Sequence, residues 1–269
     1  MEWVFPVRNF CDLVDAGKKR NGGACGEIEN CRSALDAVSG AWLANCGRRF
    51  ECYSLKFEPH HHLALHNDYV NLYQVQVKPH DSVLLHRHDY DAISVMLAGA
   101  RVTVRASGKP DVHQELEAAQ VRLQPKGYVH QTAIEDELYR NVTVELLQPQ
   151  RGGHNLCAQV MAGQPLHCDT QPGDKQAGVA NRPQFATEET TITLSTLPAG
   201  HELPFGTADS AVLVIALDPC ALVSKSGKAE REIPAGGFVW RDKAAPARSI
   251  RNAGAAEARL VSFVFKSSN

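Results

Sequence analysis

Three histidines carry the strongest chemical signal in the chain. His86 and His88 stand at i and i+2 in "LLHRHDYDAISVMLAG", and His130 follows a turn in "LQPKGYVHQTAI". Residues two apart leave the same face of an extended strand, so the rings of His86 and His88 point to one spot. Pro125-x-Gly127-x-x-His130 reads as a tight turn with a histidine at the start of the next strand. Neutral imidazoles that converge make a transition-metal site. Three of them leave coordination positions open for water, dioxygen or a bidentate substrate. Such a metal acts as a Lewis acid that stabilises an enolate, as in an isomerase, lyase or decarboxylase, or as Fe(II) beside a chelated substrate in a dioxygenase.

Rings on rigid strands need a β scaffold, and here the sequence resembles the cupin superfamily. The first cupin motif, G-x5-H-x-H-x3-4-E-x6-G, is matched by His86, His88 and Gly99. The second, G-x5-P-x-G-x2-H-x3-N, is matched by Pro125, Gly127 and His130, after the 25 residues from Ala100 to Gln124. The chain departs from the pattern at four places. The glutamate position, counted back from Gly99, holds Ala92, with Asp91 one residue early. Ile134 replaces the closing asparagine, and His80 and Ala119 stand near the missing opening glycines. The resemblance implies one divalent transition metal held by His86, His88 and His130, with Fe, Mn, Ni, Cu and Zn all open. Asp91 is a candidate fourth ligand that needs a local bulge to turn its carboxylate inward. The family contains enzymes as well as proteins that only bind ligands, so a metal-dependent oxygenase or isomerase/lyase acting on a small polar metabolite and a non-catalytic binding or sensor protein both stay open. Cupins also pair through barrel edges, which implies a homodimer.

The elements that position the motifs appear twice. "VKPHDSVLLHRHDYDAISVML" lies over "TLPAGHELPFGTADSAVLVIAL", and "LEAAQVRLQPKGYVHQTAIEDELYRNVTVELL" over "IPAGGFVWRDKAAPARSIRNAGAAEARLVSFVF". Both halves show short β-rich runs between Pro/Gly turns and no long helical period. The expected fold is all-β, two tandem cupin barrels of the jelly-roll type. The second half lacks the ligands, because His86 falls on Phe205, His88 on Thr207 and His130 on Arg248, while Asn252 keeps the asparagine missing from the first half. Phe205 cannot ligate and Arg248 is a permanent cation. The expected boundaries are an N-terminal extension over 1–56, a metal-binding barrel over 57–148, a linker over 149–188 and a degenerate barrel over 189–269. Within the extension, "CRSALDAVSGAWLANC" fits a short amphipathic helix with Leu35, Val38, Trp42 and Leu43 on one side.

Several residues beside the motifs are candidates for contact with a small-molecule ligand. Tyr128, Gln131, Thr132 and Arg140 lie near His130 in sequence, and alternation places Thr132 on the face of His130. In "NVTVELL", Glu145 is a candidate acid or base if its face points inward. The apolar Val142, Val144 and Leu146 opposite favour the reverse, with Glu145 in solvent. Thr132, Tyr128 and, on the inward alternative, Glu145 are the candidate substrate-binding residues. The run with His60, His61, His62 and His66 reads as a polar approach to the first strand, since a run fixes no ligand geometry. That strand follows in "HNDYVNLYQVQV", with Val70, Leu72, Val75 and Val77 as its apolar positions.

Bulk composition excludes other classes. Of 269 residues, 43% are hydrophobic and 22% charged, the balance of a soluble globular protein with a real core. A net charge of -2 gives no basic footprint for nucleic acid. The longest fully apolar run, Ala211 to Leu217, is too short to span a bilayer. The first 30 residues carry no apolar signal stretch, which favours the cytoplasm and leaves export open. None of the eight cysteines forms a C-x-x-C pair. Cys157 and Cys168 bracket a short loop and would gain roughly 3 kcal/mol from a disulfide in an oxidising compartment. Without an export signal, two reduced thiols are the expectation.

Overall fold

The computed structural model describes residues 53–106, 108–152, 154–155, 159–160, 175–176, 178–205, 209–223, 229–246 and 248–266. The N-terminal segment with its expected helix, and Cys157 with Cys168, lie outside the described residues. Among the described residues the only helix is a single turn at Leu55–Phe57; the rest of the regular structure is β.

Among the described residues, the first barrel has nine strands besides the two-residue edge strands Tyr53–Ser54 and Gln159–Val160: β1 (His61–His66), β2 (Val70–Val77), β3 (His86–Arg87), β4 (Asp91–Met96), β5 (Ala100–Ala106), β6 (Val112–Leu116), β7 (Val121–Gln124), β8 (Val129–Ile134) and β9 (Tyr139–Leu146). The second has nine more besides the two-residue strands His154–Asn155 and Lys175–Gln176: β10 (Val179–Ala186), β11 (Thr190–Leu197), β12 (Glu202–Phe205), β13 (Ala211–Ala216), β14 (Cys220–Val223), β15 (Ala229–Ile233), β16 (Phe238–Arg241), β17 (Arg248–Arg251) and β18 (Ala258–Phe265). One sheet of the first barrel runs β3-β8-β5-β6 and the other β7-β4-β9-β2-β1. The second barrel repeats both orders as β12-β17-β14-β15 and β16-β13-β18-β11-β10. The expected all-β fold of two tandem jelly-roll barrels is the fold observed.

Strand β10 falls inside the stretch expected to be linker. Its sequence, "VANRPQFA", hides a strand signal behind Pro183 and polar residues, and the register shifts between Pro183 and Phe185. Proline is tolerated at such irregular, outlying positions because its missing N–H costs no central ladder bond.

The core divides in three. Val75, Val77, Met96, Val102, Val104, Leu116 and Ile134 fill one end of the first lumen. Val179, Leu197, Val212, Val214, Leu222, Val239, Ile250 and Leu260 fill the second. The largest cluster lies between the barrels. Val70, Leu72, Ile93, Val95, Val142, Val144 and Leu146 from the outer face of one sheet meet Ile192, Leu213, Ile215, Val261 and Phe263 from the matching sheet of the other. This joint explains why β13, "AVLVIA", is apolar along its whole length: Val212 and Val214 face the lumen while Leu213 and Ile215 face the other barrel.

Turns recur with the strands. His80, Ala119 and Gly127 in the first barrel have φ of 63°, 68° and 82°, and Gly200, Gly236 and Ala244 in the second have 75°, 79° and 63°. His80 and Ala119 thus hold left-handed conformations that glycine holds in the second barrel, at the places where the resemblance noted missing glycines.

Candidate metal centre

Backbone pairing clamps the two histidine motifs together. His86 on β3 lies directly opposite His130 on β8. The chain beyond β3 stays in step, with the His88 N–H donating to the Tyr128 carbonyl at 3.1 Å and the Gly127 N–H to the His88 carbonyl at 2.8 Å. All three histidines are buried. One ligand nitrogen from each falls within a group no wider than 4.8 Å.

The ring environments suit a metal. His86 Nδ1 is 2.8 Å from the Leu84 carbonyl, to which it donates, so Nε2 keeps the lone pair; this nitrogen is buried with no hydrogen-bond partner. His88 Nε2 and His130 Nε2 face each other at 3.0 Å. Two nitrogens bound at about 2.1 Å to one ion at a right angle would stand about 3.0 Å apart. Burial pushes the His86 pKa down to about 4, and it holds His88 and His130 well below the usual imidazole range. Neutral rings are what a cation requires of its ligands.

The cavity at the triad has about 10 Å³ of free space and is also lined by His61, Ser94, Gln124, Thr132, Asn141 and Thr143. A polar chain crosses its wall. Ser94 Oγ donates to Gln124 Oε1 at 2.9 Å and lies 3.1 Å from Thr143 Oγ1, which donates to Asn141 Oδ1 at 2.8 Å. Arg122, cross-strand partner of Ser94, is buried as well, and its guanidinium donates to the Gln114 side chain at 3.0 Å.

The other candidates separate. Thr132 lines the cavity beside His130. Tyr128 stacks on His130, with ring centres 4.7 Å apart. Asp91 stands outside the group of three nitrogens. Its carboxylate accepts the Lys126 N–H at 2.8 Å, and β4 pairs with β7 and β9 without the bulge that would turn it inward. Glu145 is buried, not solvated. It accepts hydrogen bonds from Asn71 Nδ2 at 2.8 Å and Tyr73 Oη at 3.2 Å, and burial raises its pKa against those two bonds. The expectation that Val142, Val144 and Leu146 fill the lumen fails because they belong to the joint between the barrels. A single barrel has an apolar inside and a wet outside; this one has a second barrel on its outside.

His61 is the residue that the sequence reading passed over. It is the one member of the histidine run that lines the triad cavity, with its ring 5.1 Å from that of His86. His62 and His66 are exposed. The Glu58 carboxylate, 2% exposed, accepts His61 Nδ1 at 2.6 Å, His60 Nδ1 at 3.0 Å, the His60 N–H at 2.8 Å and the Leu84 N–H at 3.0 Å. Burial alone would raise the Glu58 pKa, but these donors, His61 foremost, bring it down to about 2. Its signal in the sequence was Glu58 three residues before His61, a spacing that acquires meaning only once both are known to be buried.

No protein-family model matches the chain, and comparison with curated protein sequences finds no match. Solved structures do match in fold. AerE from Microcystis aeruginosa is similar over 79% of this chain and 100% of its own, with 12% identity and a TM-score of 0.54. A putative glyoxylate-induced protein from Pseudomonas aeruginosa matches over 77% of this chain and 78% of its own, with 13% identity and a TM-score of 0.55. Salicylate 1,2-dioxygenase from Pseudoaminobacter salicylatoxidans matches over 73% and 68%, with 13% identity and a TM-score of 0.50. These neighbours have the cupin fold, and the chain is a bicupin in architecture. No helix among the described residues is long and apolar enough to cross a membrane.

Proposed function

On this bicupin scaffold, we propose that the first barrel binds one divalent transition metal through His86, His88 and His130 and acts as a metal-dependent enzyme, an oxygenase or an isomerase/lyase, on a small polar metabolite. The observation that carries the reading is the convergence of three buried, neutral imidazoles within 4.8 Å. Buried polar nitrogens without partners are costly, and a shared cation gives them one. When bound, the metal supplies Lewis acidity or a site for dioxygen. The chain's own residues do the rest. Ser94, Gln124, Asn141 and Thr143 supply a polar wall, Thr132 and Tyr128 flank His130, and Glu145 accepts a hydrogen bond from Tyr73. Salicylate 1,2-dioxygenase shows that a bicupin scaffold supports oxygen chemistry; its likeness to this chain is one of fold.

Metal content by plasma mass spectrometry, wild type beside His86→Ala/His88→Ala, tests the proposal. About one equivalent of a single metal, absent from the variant, supports it, and the element found selects oxygen-consumption or isomerase/lyase assays. A wild type that takes up no metal after reconstitution sinks it.

A second reading, a non-catalytic binding barrel, rests on the cavity itself. About 10 Å³ is room for roughly one water, and a metabolite would have to part the walls. Ligand-induced stabilisation without turnover would favour this reading.

A further inference from the structure

The triad explains three of the four imidazoles around the cavity. His61 remains, and its setting is costly to build. Glu58 is a buried carboxylate with two histidines and two backbone N–H groups arranged around it. A carboxylate with so low a pKa is ionised and accepts only, so the proton of the 2.6 Å contact sits on His61 Nδ1. Nδ1 is thereby committed to Glu58, and Nε2 is the ring nitrogen left for another partner. The ring lines the triad cavity and tilts against His86 at 57°. Tyr73 meets its edge at 6.1 Å, which limits its rotation. A carboxylate that fixes the tautomer and aim of a histidine is the standard support of a functional imidazole at a metal. Yet His61 lies outside the group of three nitrogens that fall within 4.8 Å. Its position therefore suits contact with what the metal binds better than contact with the metal.

We propose that His61, aimed by Glu58, is the hydrogen-bond partner, through Nε2, of the exogenous group in the first barrel's metal site, a water or substrate hydroxyl. This deepens the metal-site reading and rests on it. The assignment makes His61 a catalytic residue and Glu58 a positioning residue. It also narrows the ligand class to groups that place a hydrogen-bonding oxygen next to the metal.

The test uses the full chain loaded with Co(II). Affinity is measured by chelator competition for wild type, His61→Ala, Glu58→Gln and His88→Ala, and the loaded wild type is crystallised. His61→Ala and Glu58→Gln are expected to keep about one equivalent of cobalt with affinity within roughly tenfold of wild type, while His88→Ala loses it by more than about 100-fold. The loaded structure is expected to show a metal-bound oxygen about 2.6–3.2 Å from His61 Nε2. His61→Gln, which keeps a polar side chain of similar reach, guards against a simple folding defect in the alanine variant. Loss of cobalt from both His61 variants to the degree of His88→Ala would overturn the proposal by making His61 a fourth ligand. A metal-bound oxygen beyond reach of His61 would overturn it as well. A wild type without cobalt would instead overturn the metal reading beneath it, so the two failures are distinguishable.

Discussion

The two barrels share one strand order and one register but not one interior. Where His86 pairs with His130 along the backbone ladder of the first barrel, Phe205 pairs with Arg248 in the second. The matched pairs continue along the walls. Ser94 lies opposite Arg122 and Thr143, and at the same places Val214 lies opposite Val239 and Ser262. Asn141 opposite Met96 becomes Leu260 opposite Ala216, and Thr132 opposite Val104 becomes Ile250 opposite Leu222. Four polar wall residues of the first lumen, Ser94, Arg122, Asn141 and Thr132, are thus apolar in the second, and all four replacements are buried there. Corresponding strand pairings support both interiors, because main-chain pairing is indifferent to which side chain fills the lumen. The second barrel spends its lumen on core packing, and the first keeps polar walls around its histidines.

The comparison breaks most sharply by exchange of ligands. His88→Ala should lower metal affinity by more than about 100-fold, whereas Phe205→His/Arg248→His in the second barrel should add no second equivalent. Metal per chain decides, and a second equivalent would show that the apolar walls are no obstacle.

The next largest effect lies at the joint. Phe263 is fully buried between the barrels, so Phe263→Ala should cost about 3–5 kcal/mol in denaturant unfolding. Both barrels should still unfold in one transition, followed by near-UV circular dichroism; two separated transitions would make the joint dispensable.

Acid should distinguish the barrels as well. The folded state holds His86 down to about 4 from 6.5, so the unfolded chain binds the proton first as pH falls. The stability this histidine contributes is complete above about pH 6.5 and is lost on the way to pH 4, roughly 2 kcal/mol by pH 5. His88 and His130 act in the same direction. Glu58 adds its own loss only below its usual range, between 4.5 and about 2. Stability measured from pH 7 to 5 should therefore fall, and His86→Ala/His88→Ala should flatten the slope. An unchanged slope would mean the rings are not held neutral.

The smallest effect concerns the turns. Ala119 has φ 68°, where an L side chain is strained by about 1–2 kcal/mol, and its counterpart is Gly236. Ala119→Gly should stabilise by up to about 1 kcal/mol after the entropy of glycine is subtracted. Gly236→Ala should destabilise by more, because a Cβ there would stand 2.7 Å from Leu97 Cδ1 of the other barrel. Thermal denaturation of the two variants checks the sign of each.

Some of this was legible in the residues alone. Spacing brought out the three histidines, since a period of two is a property of any strand, and the repeat exposed both the second barrel and its lack of matching histidines. Alternation placed Thr132 beside His130. Other features depended on partners far away in sequence. Alternation along "NVTVELL" fixes which residues share a face but not which face is inside, and the second barrel reversed the usual inference by burying the outside of the first. His61 was hidden for a related reason: four histidines in a run look alike until a buried Glu58 and the wall of the lumen select one. The sequence by itself determined the period, the repeat and the residue types of the candidate site, because these are local or self-similar properties of the chain. Only the tertiary structure decided which polar residues are buried, which face each strand turns inward and which imidazole receives a carboxylate, because burial and pairing are set by surfaces that meet after the strands have closed.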